Sequence, residues 1–329
     1  MRKFLAVCLC VLCACTLVFA NGTQETSGVV KLDVGTVYAN EHIFALAMDQ
    51  MMKELNTAAP QFKMTNYHNS TLGSEKELVD AIAAGTVQMA IVGGGQIGAM
   101  YAPLMVFDAP YCIDGNEQLQ KVSDSGVGKK LFDDLATQKN IRVLGALYAG
   151  RRFITTSNKA VYQPTDLKGL KIRVPDQELS IANFKQFGAS PTPMAFSEVY
   201  LALQQGVVDG QENPLTQIMS AKFYEVQKYI SLTGHVTQCV FLVCNENFYQ
   251  RLSDTDRKIL SDMARKYCQE ASVVSVNFEN ETVEKLQSDY GMTVCEPNID
   301  AFKALAKSVV TNYESRWGAG LYEQIQAIH

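Results

Sequence analysis

Arg173 is the residue whose type and place point most directly to chemistry. It closes a short run, Leu170 to Val174, in which apolar and basic side chains alternate as in a strand, and Pro175 then removes a ladder donor and ends it. In open α/β sheets ligands bind in the crevice outside the carboxyl ends of strands. A guanidinium at such a tip offers a planar fork of donors suited to a carboxylate or a phosphate. From position alone a surface or salt-bridged arginine is an equally open reading. The other chemical signals are weaker. The four histidines, His42, His68, His235 and His329, make no HExxH and no zinc spacing, and no GxSxG or activated cysteine is present. His42 alone is placed to face the same crevice, just after the first strand; a capping or solvated histidine is the competing reading. Gly93, Gly95 and Gly98 form GxGxxG after a strand, but Pro103 cuts the following helix short and no strand ending in an acid lies about 20 residues on. That pattern is expected to be a flexible loop at a cleft mouth rather than a dinucleotide site. Neither a metal nor a cofactor is expected, and an enzyme is the weaker hypothesis.

The elements that must hold Arg173 alternate between strand and helix. Val30 to Val34, Phe62 to Tyr67 and Val87 to Val92 read as strands. Ile43, Phe44, Ala47, Met48, Met51, Met52 and Leu55 mark one helical face, and Ser74 with Glu77 is a capping box for a second helix ending near Gly85. The βαβαβ order implies a mainly parallel sheet with right-handed crossovers. Ile141 to Leu147 is a further strand, after which Gly150 and the TTSN turn suggest passage into a second domain that holds residues 166 to 214. Thr237 to Asn245 reads as a strand returning to the first. Ser253 is a good N-cap, and Asp254 to Tyr290 contains neither proline nor glycine. A helix of that length reaches about 55 Å and can bridge both domains. Asp300 to Trp317 reads as a last helix, packed on the second lobe.

Composition is that of a globular exported chain. Of 329 residues, 47% are hydrophobic and 19% charged, enough for two cores. Arg2 and Lys3, the apolar run Phe4 to Leu17 and Val18-Phe19-Ala20 form a signal peptide over residues 1–20; the alternative is a lipoprotein signal with Cys15 as the anchor. The formal charge of −5, or −7 once Arg2 and Lys3 leave with the signal, argues against nucleic acid as a partner. Beyond the signal stand Cys112, Cys239, Cys244, Cys268 and Cys295, an odd set at irregular spacing. They read as buried small hydrophobes rather than a disulfide framework.

Three blocks, KGLKIRVP, GASPTPMAFSEVYLALQQGVVDGQENP and AKFYEVQKY, resemble the solute-binding protein of a TRAP (tripartite ATP-independent periplasmic) transporter, the DctP family. The resemblance covers the whole mature chain. It implies a type II periplasmic-binding-protein fold: two α/β lobes, here 29–149 with 239–278 and 150–238 with 279–329, a ligand cleft between them, and a long helix across both. It also implies capture of an organic acid in the periplasm and delivery to small and large membrane subunits. Arg173 matches the family's carboxylate-pairing arginine. Arg152, in AGRRFITT, matches a second cleft arginine, with Arg151 the competing choice. Asn213 corresponds to the asparagine that adds ligand hydrogen bonds, and Phe196 to an aromatic wall. Asn213 could equally be a turn residue, and Phe196 a staple beside an N-cap at Ser197. Against a sialic-acid binder, Asp176 stands where an asparagine is found and glycines follow Val92, while Glu75 is kept. Hydroxyls reaching Glu75, Asp176, Asn213 and His42, with one carboxylate on Arg173, describe a sugar acid such as a uronate, aldonate or keto-gulonate. C4-dicarboxylates, with Arg152 taking the second carboxylate, and sialic acid are alternatives of the same type. A ligand-presenting module for a sensor kinase and a periplasmic enzyme on organic acids are alternatives of other classes.

Overall fold

The computed structural model describes residues 28–329, so the signal-peptide and Cys15 expectations lie outside the described residues. In chain order the elements are β1 (Val30–Gly35), α1 (Ile43–Ala58), β2 (Phe62–Tyr67), α2 (Glu75–Ala84), β3 (Met89–Gly93), α3 (Gly94–Gly98), α4 (Asn116–Asp124), α5 (Gly126–Lys139) and β4 (Ile141–Thr156). There follow β5 (Lys171–Val174), α6 (Glu178–Gln186), β6 (Ser190–Pro193), α7 (Val199–Gln204), β7 (Gly210–Pro214), α8 (Leu215–Ser220) and β8 (Tyr229–Ser231). The rest is β9 (Thr237–Asn245), α9 (Glu246–Arg251), α10 (Asp254–Ser288), β10 (Thr293–Cys295), α11 (Ile299–Trp317) and α12 (Leu321–Gln326).

The strands run in the order β2-β1-β3-β9-β4-β7-β5-β6, with β8 and β10 branching from β4. β1 pairs with β2 and β3 in parallel, and β5 with β6 and β7 in parallel, as the βαβ pattern requires. The centre departs from that pattern, because β9 is antiparallel to both β3 and β4. β4 is also longer than expected. It continues through Gly150 instead of ending near Leu147: residues 141 to 151 pair with β9, and 152 to 156 with β7. The register slips between Tyr148 and Arg151, at the point where Gly150 adopts φ +108. The same strand therefore serves both lobes.

One core gathers Leu32, Phe44, Ile91, Leu147, Phe241 and Leu260; two smaller clusters around Phe153, Leu203 and Ile218 and around Ile172, Phe184 and Phe187 form the other lobe. α10 is capped at Ser253, whose hydroxyl accepts the Asp256 N–H, and its 35 residues span roughly 50 Å. It packs Leu260, Ala264 and Ala271 on the first core and Phe278 and Leu286 on the second, so it bridges both lobes. α11 does not stay on the second lobe. Phe302 and Ala306 pack there, but Val309 and Trp317, then Ile325 of α12, enter the first core, where burying the large apolar indole is favourable. All five described cysteines are free and buried.

Candidate ligand-binding site

Between the lobes lies a cavity of about 400 Å³ at the carboxyl ends of the parallel strands. Arg173 enters it from β5 and is only 3% exposed. Its Nε and Nη2 donate to the Met194 carbonyl at 3.1 and 2.7 Å, leaving Nη1 toward the cavity. Among the described residues no carboxylate forms an ion pair with it. Burial pulls its pKa down to about 10; Glu212 and Glu75 resist that shift and Arg152 adds to it.

Arg152 and Arg151, adjacent on β4, point to opposite faces as strand geometry demands. Arg152 lines the cavity, whereas Arg151 donates from Nε to Glu279 of α10 at 2.7 Å on the other side. The Arg152 fork is already occupied. Its Nε and Nη2 grip the Glu212 carboxylate, Nη2 lying 2.7 Å from Oε1, and Nη1 donates to Gln238 Oε1. His235 sits 3.2 Å from the other Glu212 oxygen and 2.8 Å from the Thr233 hydroxyl. Burial alone would raise Glu212, but Arg152 and His235 outweigh it and hold it near 2; burial alone would lower Arg152, but the Glu212 carboxylate outweighs that and raises it.

Asn213 lies within β7 opposite Phe153, so it is a strand residue, not a turn residue. Its Oδ1 accepts from Arg152 Nη2 at 3.2 Å and its Nδ2 donates to Gln211 at 2.5 Å. Phe196 sits edge-on to Phe223, 5.9 Å between centroids; the helical turn it opens is capped by Ala195, not Ser197. Asp176 is exposed at the mouth. Glu75, the first residue of α2, accepts the Gly93 N–H at 2.5 Å. Burial raises its pKa, with the Gly93 N–H and both arginines pulling back.

Two expectations need correction. His42 does not reach the cavity. It caps α1, accepting the Phe44 N–H on Nδ1 at 3.1 Å, and lies stacked beneath Tyr38, whose ring forms the wall instead. Burial drives its pKa to about 3, so it stays neutral. Nor is the GxGxxG segment a loose loop. Gly94–Gly98 is the short buried helix α3, and a Cβ on Gly95 would strike Asp108 and lie 2.7 Å from Gln177 Oε1. Asp108 itself is buried beside Arg152, and burial lifts its pKa to about 7.

Among the polar side chains that line the cavity, sequence reasoning missed Tyr38, Gln96, Gln177, Gln217 and Gln238, as well as the exposed Lys76. None belongs to a motif. Tyr38, Gln96, Gln177 and Gln217 each follow closely on the carboxyl end of β1, β3, β5 or β7, and Gln238 opens the antiparallel β9, which starts at that same edge. The strand order was the signal that could have found them.

The sequence profile of the family described as DctP, bacterial extracellular solute-binding protein, family 7, matches residues 34–316. The chain belongs to this family. It is of the kind that serves TRAP transporters. Relatives include a solute-binding protein of Verminephrobacter eiseniae (34% identity over 93% of this chain and 90% of that one) and the sialic acid-binding periplasmic protein SiaP of Vibrio cholerae (31%, 91% of each). The 2,3-diketo-L-gulonate-binding periplasmic protein YiaO of Escherichia coli is 33% identical over 69% of this chain and 68% of its own length. Among solved structures, TRAP solute-binding proteins of Polaromonas with D-erythronate and of Roseobacter denitrificans with L-galactonate superpose with TM-scores of 0.85 and 0.84. Both are 29% identical; they cover 91% and 92% of this chain and 99% of their own lengths. Within the DctP family frame, a buried cation that no carboxylate among the described residues pairs with, ringed by amides, is suited to an anion that also carries hydrogen-bonding groups.

Proposed function

We propose that this DctP-family protein captures a sugar acid, a uronate, aldonate or keto-gulonate with one carboxylate, and delivers it to the small and large membrane subunits of a TRAP transporter. The observation that carries this reading is Arg173: a buried guanidinium with an open Nη1 and, among the described residues, no carboxylate paired with it. An anionic ligand supplies the missing charge. Four glutamines and Asn213 then offer donors and acceptors to hydroxyls, and Phe196 an apolar wall. A C4-dicarboxylate is the second reading, resting on Arg152. It is disfavoured because the Arg152 fork is filled by Glu212 and because Glu75 would repel a second carboxylate. The ligands named for YiaO and for the erythronate and galactonate complexes are likewise hydroxylated acids.

The lobes join through β4, β9 and α10, an arrangement suited to hinge closure over the ligand, with contacts from 29–149 and 239–278 on one side and 150–238 and 279–329 on the other. A thermal-shift panel of L-galactonate, D-erythronate, D-glucuronate, 2,3-diketo-L-gulonate, sialic acid, succinate and malate tests the assignment. A ligand at 100 times its Kd stabilises by about 2.7 kcal/mol. Sugar acids are expected to raise the Tm most; a response to succinate, malate or sialic acid alone would overturn the reading.

A further inference from the structure

Gln238 is 6% exposed and lines the cavity from the second residue of β9. Its Oε1 accepts from Nη1 of Arg152. A guanidinium can only donate, so this contact fixes the amide with oxygen toward Arg152 and nitrogen away from it. Among the described residues Nε2 donates to no protein acceptor, the amide's one hydrogen bond being that through Oε1. Beside it stands Glu75, anchored through Oε1 by the Gly93 N–H. A Cβ on Gly93 would lie 3.0 Å from Gln238 Nε2 and 3.3 Å from Glu75 Oε1, so the fixed donor and the fixed acceptor are near neighbours packed against one glycine, and both side chains line the cavity.

We propose that Gln238 and Glu75 are a matched pair that reads a single hydroxyl of the ligand. This deepens the sugar-acid reading and rests on it. The hydroxyl oxygen accepts from Nε2 and its hydrogen is donated to the Glu75 carboxylate. A keto oxygen satisfies Gln238 alone, a hydrogen satisfies neither, and a carboxylate is repelled by Glu75. Rejection follows from buried polar groups left without partners. Arg152 acts here as a positioning residue: Glu212 holds its fork, and the fork sets which way the Gln238 amide faces.

Gln238→Glu separates this role from a structural one. The variant keeps an acceptor for Arg152, and with a stronger charge, but turns the ligand-facing donor into a second acceptor beside Glu75. Calorimetry is run on both proteins with L-galactonate, D-erythronate and D-glucuronate, and then with each monodeoxy derivative of whichever acid binds tightest. In the unaltered protein one deoxy derivative is expected to bind at least about tenfold more weakly than its parent. In Gln238→Glu the parent should weaken by at least about tenfold, and the penalty for that one deoxy position should shrink below about threefold. If the variant does not fold by circular dichroism, Gln238→Met carries the same deoxy comparison. Parent affinity or a deoxy penalty unchanged by substitution would overturn the Gln238 proposal while leaving the sugar-acid reading standing. Failure of every acid to bind the unaltered protein would overturn both.

Discussion

Arg173→Met should make the empty protein more stable while abolishing its ability to respond to ligand. The guanidinium is buried, and its pKa is depressed from 12.5 to about 10, a shift worth about 3 kcal/mol against the charged form. For a base with a lowered folded pKa, that penalty is present in full below about pH 10 and fades only as the pH rises toward 12.5, so it is constant across the physiological range. Methionine keeps the unbranched stem and removes the charge. It also strips the Met194 carbonyl of its two donors, an offset of about 1 to 2 kcal/mol. The net gain of about 1 to 2 kcal/mol should raise the Tm of the ligand-free variant by about 2 to 4 °C. Differential scanning fluorimetry with and without L-galactonate or D-glucuronate reads both halves of the expectation. A variant less stable than the unaltered protein, or one that still shows the full ligand-induced shift, would refute the reasoning that Arg173 is held at a cost for an incoming anion.

Asp108 gives a pH signature of the opposite sense. Its folded pKa of about 7 exceeds the ordinary 3.8, so the stability contributed by its protonated form is complete below pH 4 and is lost as the pH rises through 7, with Arg152 partly offsetting and Glu75 and Glu212 reinforcing the shift. Asp108→Asn should therefore gain on the unaltered protein between pH 4 and pH 8, by on the order of 4 kcal/mol; parallel urea midpoints across that range would rule it out. Gly95→Ala should destabilise by about 1 to 3 kcal/mol, since the added methyl collides with Asp108 of the same lobe and crowds Gln177 across the lobe boundary. An unchanged urea midpoint would show that the Asp108 and Gln177 side chains give way to the methyl without cost.

Local signals were legible in the sequence to the residue. The β2 and β9 boundaries, the Ser74–Glu77 capping box and the Ser253 cap follow from alternation and from side-chain oxygens that satisfy the first N–H groups of a helix. What escaped depends on partners distant in the chain. Gly150 looks like a breaker, yet its positive φ admits a bulge and its missing side chain lets Glu279 approach, so β4 runs on into the second lobe. Arg152 carries the signature of a ligand arginine, but what it does is set by Glu212, 60 residues away, and by Gln238, 86 residues away. His42 was located correctly along the chain and wrongly in space, because capping α1 turns its ring behind Tyr38. The glutamines of the cavity are invisible as a motif and become a group only when the strand order brings their positions to one edge.

The placement of β9 between β3 and β4 bears on how the chain acquires its shape. β1, β2 and β3 come early, but the neighbour that covers the β3 edge is not available until Asn245 has emerged, and Trp317 and Ile325 arrive later still to seal the same core. Until then the first lobe presents an uncovered strand edge and an unclosed apolar face, the surfaces on which chains stick to one another. Neither lobe can be cut out as an independent folding unit, and a truncation after the second lobe's last strand leaves the first one unfinished. Synthesis of this protein thus carries a long interval of exposure, set by topology rather than by chain length, during which a holding chaperone has its clearest purpose.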